Sequence, residues 1–169
     1  LAETALPGIP VSEVALFKAS EDANVHVDRQ AEVRSLSFWF VMKQAEYASP
    51  VQILRMKTTR GELAFMVNGA NGRVAVTSVL KGKESIITTS YPLSLNSPHH
   101  LLINIDSGSL TLWLDGGAQD KMRVDADSLG EIESIDLGGQ VAACDELLAL
   151  KTCFPESRLP DLLKAEKRL

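Results

Sequence analysis

From Arg34 to Lys43 the chain reads RSLSFWFVMK, so that Leu36, Phe38, Phe40 and Met42 alternate with Ser35, Ser37, Trp39 and Val41. A period of two with large apolar residues on one side predicts a β-strand with one strongly buried face. Val51 to Met56 reads as a second strand and Glu62 to Val67 (ELAFMV) as a third. Asn68-Gly69-Ala70-Asn71-Gly72 then turns the chain, because Asn-Gly pairs accept the positive φ angles of a tight hairpin. Arg73 to Leu80 (RVAVTSVL) leaves that turn as a fourth strand, Lys81-Gly82-Lys83 turns again, and the β-branched run Ser85 to Ser90 follows. His100 to Asp106 and Ser109 to Asp115 form a hairpin joined at Ser107-Gly108. In its second arm Leu110, Leu112 and Leu114 share one face, and Thr111 and Trp113 share the other. Asp115-Gly116-Gly117 closes that arm, and Ile132 to Leu137 is a further short strand ending at Gly138-Gly139.

Short strands at close spacing, parted by Gly and Asn turns, predict an all-β fold, a sandwich or barrel of antiparallel strands. Helical signals are confined to the C-terminal end. Pro155-Glu156-Ser157 can open a helix, Pro160 interrupts it, and Asp161 to Leu169 sets Leu162, Leu163, Ala165 and Leu169 among charges as a short amphipathic helix or an extended tail. Pro7 and Pro10 make the first ten residues a linker or an edge strand. The expected organisation is a single domain over residues 1–169, with its core within residues 14–154 and the helix or tail over 155–169.

Composition narrows the class. A chain of 169 residues suits one domain, and 45% hydrophobic with 23% charged residues suits a folded one. The net charge is −5 with Lys and Arg scattered, which argues against generic binding to nucleic acid or an anionic membrane. No apolar run reaches the roughly 18–20 residues that span a bilayer. The chain begins Leu1-Ala2-Glu3; the expectation is an excised or mature segment, with any signal peptide or anchor outside it. Cys144 and Cys153 lie close in sequence and leave two readings open, a local disulfide suited to a secreted protein or two buried free thiols.

Several pieces then occur in a familiar order: Val51 to Met56, Gly61 to Val67, Gly72 to Val76 with its Gly-Arg-Val, and Ser97 to His100, a turn ending in His. Leu101 to Ile105, Leu110 to Gly116 with its Leu-Asp-Gly, and Ile135 to Gly139 with its Leu-Gly-Gly complete the series. Over about Leu36 to Gln140 this resembles the laminin G-like domain, one of the concanavalin A-like jelly-roll sandwiches; the thrombospondin N-terminal type is similar. Two departures stand out. Ser97-Pro98 precede His99 and His100 where members often carry Trp, and Val141-Ala142-Ala143 precede Cys144 where many carry Gly-Cys, so the family's usual bridge is altered or absent.

The resemblance implies a non-catalytic extracellular module of a larger cell-surface or matrix protein, one that binds a protein or a glycan. Many members hold calcium through an Asp just before the strand matched by Glu62 to Val67. Here Gly61 stands at or near that position with Arg60 before it, and Asp115, Asp120, Asp125 and Asp127 are the acids elsewhere. A hard cation wants several anionic oxygens and a neighbouring Arg opposes it, so neither a family-type calcium site nor any other cofactor is expected.

The candidate binding residues are Lys57, Arg60, Arg73, Lys81 and Lys83, turn-borne cations suited to an acidic glycan or protein surface; the alternative is an ordinary solvated rim. Trp39 and Trp113 are either partner-facing aromatics or residues packed under a neighbouring strand or the terminal segment. Of His26, His99 and His100, the adjacent pair points to opposite faces of a strand and reads as turn residues at its start, not as ligands of one metal. Glu131, Glu133 and Asp136 invite comparison with sandwich glycosidases, whose paired carboxylates do acid and base work. Glu131, Glu133 and Ile135 would share a face without Asp136, and aromatics, the usual sugar platforms, are only 5%. The chain is thus expected not to be an enzyme. A carbohydrate-active enzyme or carbohydrate-binding module on the same fold and a spacer packed against its own chain are the competing readings. No Asn-X-Ser/Thr acceptor occurs, so N-glycosylation is not expected.

Overall fold

A computed structural model describes residues 9, 11–18, 26–42, 51–67, 72–90, 92–94, 96–137 and 142–164. The expected turns at 68–71 and 138–139, nearly all of the first ten residues, and 165–169 lie outside them. The strands are β1 (Val14–Lys18), β2 (His26–Val27), β3 (Glu32–Val33), β4 (Ser35–Met42), β5 (Val51–Thr58), β6 (Gly61–Val67) and β7 (Val74–Leu80). There follow β8 (Lys83–Thr88), β9 (Pro98–Asp106), β10 (Ser109–Leu114), β11 (Gly117–Arg123), β12 (Gly130–Leu137) and β13 (Ala142–Leu150), and a short helix α1 (Leu159–Lys164). Two antiparallel sheets result, ordered β11-β10-β9-β4-β13-β1-β2 and β3-β12-β5-β6-β7-β8. Among the described residues no helix is long and apolar enough to cross a membrane.

The alternation read from the sequence sets the inner faces. Leu36, Phe38, Phe40 and Met42 of β4, with Leu110, Leu112 and Leu114 of β10, meet Leu63, Phe65, Val74 and Val76 of the other sheet in one buried cluster. Phe38 meets Phe65 edge-on across the interface, with ring centroids 5.0 Å apart at 81°.

One expectation needs correction. β4 was expected to bury a single face, but Ser35, Ser37 and Trp39 are buried as well. The outer face of the larger sheet is itself apolar, with Leu102, Trp113, Leu148 and Leu150, and the C-terminal segment covers it with Phe154, Leu159 and Leu162. Asn104 clamps that segment with a pair of bonds, Nδ2 donating to Phe154 O at 2.9 Å and Oδ1 accepting from Phe154 N at 3.0 Å. Ser35 Oγ donates to Thr152 O at 2.9 Å. Trp113 thus packs beneath the terminal segment. Pro160 does not interrupt a helix; it sits in the first turn of α1, where a missing N–H costs nothing.

Of the two readings open for Cys144 and Cys153, the structure has the free thiols. Cys144 lies in the core between the sheets, opposite Phe40 in register, with Sγ 3.6 Å from Ile53 O. Cys153 Sγ is 3.0 Å from Ile105 O. Phe40 pairs with His99 on β9, six residues from Ile105, about 20 Å along a strand. A disulfide needs Cα atoms within about 7 Å.

His99 and His100 belong to β9 itself, paired with Phe40 and Trp39, and so are not turn residues. Asp115, at φ 51° in the β10–β11 turn, staples them. Its Oδ1 accepts from the His100 amide and its Oδ2 contacts His99 Nδ1, both at 2.7 Å. His99 Nε2 lies 2.9 Å from Ser94 O. Burial pushes the Asp115 carboxyl up, but the bonds from His99 and His100 outweigh it and hold it below its ordinary value. His100 is wholly buried beside Trp39, and desolvation pushes its imidazole down to about 4 against the opposing charge of Asp115. Its Nε2 lies 2.8 Å from Ser37 Oγ, and its Nδ1 has no hydrogen-bond partner among the described residues.

Two outcomes follow from this packing. Leu112 is fully buried, so Leu112→Ala should cost about 2–5 kcal/mol in urea denaturation; an unshifted midpoint would place Leu112 outside the core. His100 titrates near 6.5 when unfolded and near 4 when folded, so the unfolded chain binds the extra proton between these values. Stability should therefore fall as pH drops through that window, by up to about 3 kcal/mol, and a His100→Gln variant should show a flatter profile over the same range.

Candidate functional site

One end of the sandwich is built around three connections, and hydrogen bonds join two of them to each other and the third to the segment after β11. Thr59-Arg60 joins β5 to β6, Lys81-Gly82 joins β7 to β8, and Ser107-Gly108 joins β9 to β10. The last two place both central residues at positive φ, Lys81 at 51° and Gly82 at 79°, Ser107 at 50° and Gly108 at 78°. That is the type I′ geometry that matches the strand twist of a two-residue hairpin. Lys81 N donates to Arg60 O at 2.9 Å and Val124 N to Gly108 O at 2.8 Å. Thr58 Oγ1 donates to Leu129 O, and Glu131 N to Thr59 Oγ1 at 3.0 Å.

These loops enclose two adjoining pockets of about 380 and 220 Å³ that share Ser107, Gly108, Val124 and Asp125. They form one polar groove. Lys83 and Arg123 flank one part, and Arg60, Lys81 and Asp127 line the other. Arg60 is held by Glu32 at 2.8 Å. Among the described residues Lys81, Lys83 and Arg123 are exposed and make no ion pair. The groove can therefore offer cations to an anionic group and the Asp125 and Asp127 carboxylates to hydroxyl donors.

The structure brings together three of the five expected cations, Arg60, Lys81 and Lys83. Lys57 points outward from the smaller sheet, beside Glu62 and Ser134 in register. Arg73 precedes β7, whose far end leads to Lys81, which puts it about 20 Å away at the opposite rim. Arg123 was missed. Its signal was the β10–β11 hairpin, whose register pairs it with Ser109 beside the Ser107-Gly108 turn.

Gly61 is set by a close approach. It has φ 151°, and a Cβ there would lie 1.7 Å from Val79 O, so the position cannot carry the carboxylate that the laminin G-like resemblance places there. The acids of β12 do not converge either. A bulge between Ile132 and Ser134 interrupts the alternation, and Ile135 pairs with Met56 and packs against the core. Asp136 pairs with Arg55.

No family model matches the chain, and no curated protein sequence matches it. Solved structures do. The binding domain of botulinum neurotoxin serotype D superposes with a TM-score of 0.65 at 10% identity, over 88% of this chain and 42% of that one. The Ruminococcus gnavus sialidase module CBM40, bound to α2,3 sialyllactose, gives 0.64 at 11% identity over 95% and 99%. The Caenorhabditis elegans galectin LEC-6 gives 0.57 at 17% identity over 84% and 99%. The chain spans less than half of the toxin domain and nearly all of the other two. At these identities the likeness is one of fold, the antiparallel β-sandwich of jelly-roll type.

The glycines give a direct check on the rim. Gly61→Ala should cost about 3 kcal/mol or more, because backbone strain and a clash with Val79 O add. Gly82→Ala, with nothing within 4 Å of its Cβ, should cost only about 1–2 kcal/mol from φ alone. Equal costs by urea denaturation would contradict the close approach at Gly61.

Proposed function

We propose that this domain is a non-catalytic binding module of laminin G-like type, part of a larger extracellular protein, that recognises an acidic glycan at the rim groove. The observation that carries the reading is the groove itself. Four cations, Arg60, Lys81, Lys83 and Arg123, come from four separate connections or strands and meet around Ser107-Gly108, with Asp125 between them. The larger of its two parts, about 380 Å³, falls in the range of about 300–1,000 Å³ usual for ligand sites. Such a local positive region on a chain of net charge −5 selects a carboxylated or sulfated ligand over a neutral one.

Structural neighbours support a glycan as the ligand. CBM40 was solved with sialyllactose, and the ligand-binding domain of botulinum neurotoxin serotype D, similar at TM-score 0.64, 12% identity, 84% of this chain and 39% of that one, was solved with N-acetylneuraminic acid. Both ligands carry a carboxylate beside hydroxyls, the combination to which cations and Asp side chains are complementary.

Binding should be measured as retention on immobilised heparin and as saturation-transfer NMR with 3′-sialyllactose. Attraction between exposed charges is screened beyond about 8 Å at physiological salt, so retention should fall steeply as salt rises. Lys81→Asn with Lys83→Ala, and separately Arg123→Ala, should each weaken binding about tenfold or more, equivalent to about 1.4 kcal/mol. Asn keeps the positive φ of the turn. A wild-type protein that flows through heparin at low salt and shows no transfer from sialyllactose would overturn the acidic-glycan reading.

A further inference from the structure

The open edge of the sandwich, away from the rim groove, carries a second surface. β12 pairs with β5 along Ile132 to Leu137, but with β3 only at Gly130 and Glu131, because β3 is two residues long. Among the described residues nothing pairs with the other side of Ile132 to Leu137. Alternate residues of that stretch therefore turn backbone N–H and C=O groups outward, a template for another strand. Six residues extend about 20 Å, enough for several ladder bonds.

This edge borders a cleft of about 410 Å³ between the two sheets. Ile135 and Leu137 of β12 and Val27 of β2 line it and are only partly buried against the core, so the apolar layer is incompletely covered here. Lys18 and Arg29 stand on the opposite wall. Among the described residues neither makes an ion pair, and Glu133 is the single acid lining the cleft. Edge backbone, an apolar floor and two cations facing one acid describe the complement of an extended peptide.

We propose that this edge binds an extended segment of a partner protein, added to β12 antiparallel along the line of β3. Its alternate residues are apolar and turn into the cleft, and its acidic residues meet Lys18 and Arg29. Main-chain bonds to an exposed edge supply affinity in this mode, and alternate side-chain pockets supply specificity. The ladder is what favours a peptide over a small amphipathic anion, which would use the floor and the cations but leave the edge unpaired.

The test uses a fluorescent, end-blocked octapeptide of alternating Val and Glu, followed by anisotropy. A Val/Lys counterpart and a Val/Glu peptide N-methylated at alternate residues serve as comparisons. The Val/Glu peptide should bind at least about tenfold more tightly than either. Non-specific attraction to a protein of charge −5 would favour Lys instead, so a preference for Glu reports the local cations. Lys18→Glu with Arg29→Glu should reverse the preference, binding should slow amide exchange between Ile132 and Leu137, and Lys81→Asn with Lys83→Ala, aimed at the rim groove, should leave the preference for Glu over Lys in place. The proposal fails if no binding appears up to about 1 mM, or if N-methylation or charge reversal has no effect. It fails equally if sodium decanoate binds the cleft while the peptide does not.

Discussion

Burial of both faces of β4 and β9 is the constraint on which the rest of the molecule depends. Their inner faces carry Leu36, Phe38, Phe40, Leu101 and Ile103, and these are covered only if a second sheet lies against them. Their outer faces carry Ser35, Ser37, Leu102 and Asn104, which are covered only if the chain returns over them after β13. Two layers would leave Leu102, Trp113, Leu148 and Leu150 in water. A third partial layer of Phe154, Leu159 and Leu162 removes them, and each buried side chain of this kind contributes about 1.5–3 kcal/mol. Asn104 shows how the third layer is placed. It is a buried polar residue whose amide finds both its partners in the backbone of Phe154, so hydrophobic cover and hydrogen-bond satisfaction require the same docking.

Once one sheet is covered on both sides, exposed surface is left to the outer face of the smaller sheet, where Lys57 points outward, and to the ends and open edges of the sandwich. The two ends are built differently. At one, the Asp115 carboxylate joins the β10–β11 turn to β9 through His99 and His100, and both histidines are largely enclosed. That arrangement is consumed by structure. At the other end the turns bond to one another through their backbones, as Lys81 to Arg60 and Val124 to Gly108, which leaves the side chains of Lys81, Lys83 and Arg123 turned to solvent. Backbone atoms fix the loops while the side chains stay exposed.

Much of the sandwich was legible in the sequence. The inward set Leu110, Leu112 and Leu114 and the turns at Lys81-Gly82, Ser107-Gly108 and Asp115-Gly116 can all be read from period and residue type. Each rests on interactions within a few residues, or on a φ angle that few residue types accept. β13 shows where that reading stops. Its AACDELLAL is rich in helix formers and has a bulge with Glu146 at φ 50°, yet it runs as a central strand because β4 and β1 offer ladders on both sides. β11, GAQDKMR, buries only Met122 and has no alternation to detect. The two free thiols, the second buried face of β4 and the bulge after Ile132 were likewise out of reach.

The candidate site divides along the same line. Arg60, Lys81 and Lys83 were found because turns are recognisable locally and cations in them are exposed. Arg73 was grouped with them by proximity in sequence, although a seven-residue strand carries it to the opposite rim. Arg123 was passed over because only the register of β10 with β11 brings it beside Ser109. Which side chain can point inward, and where the chain can reverse, the sequence by itself determined, since alternation and backbone sterics act residue by residue. Which strands become neighbours, and so which charges share a groove and which strand edge stays unpaired, only the tertiary structure decided. Those choices are made by burial and ladder bonds between residues far apart in the chain, and no local pattern carries that information.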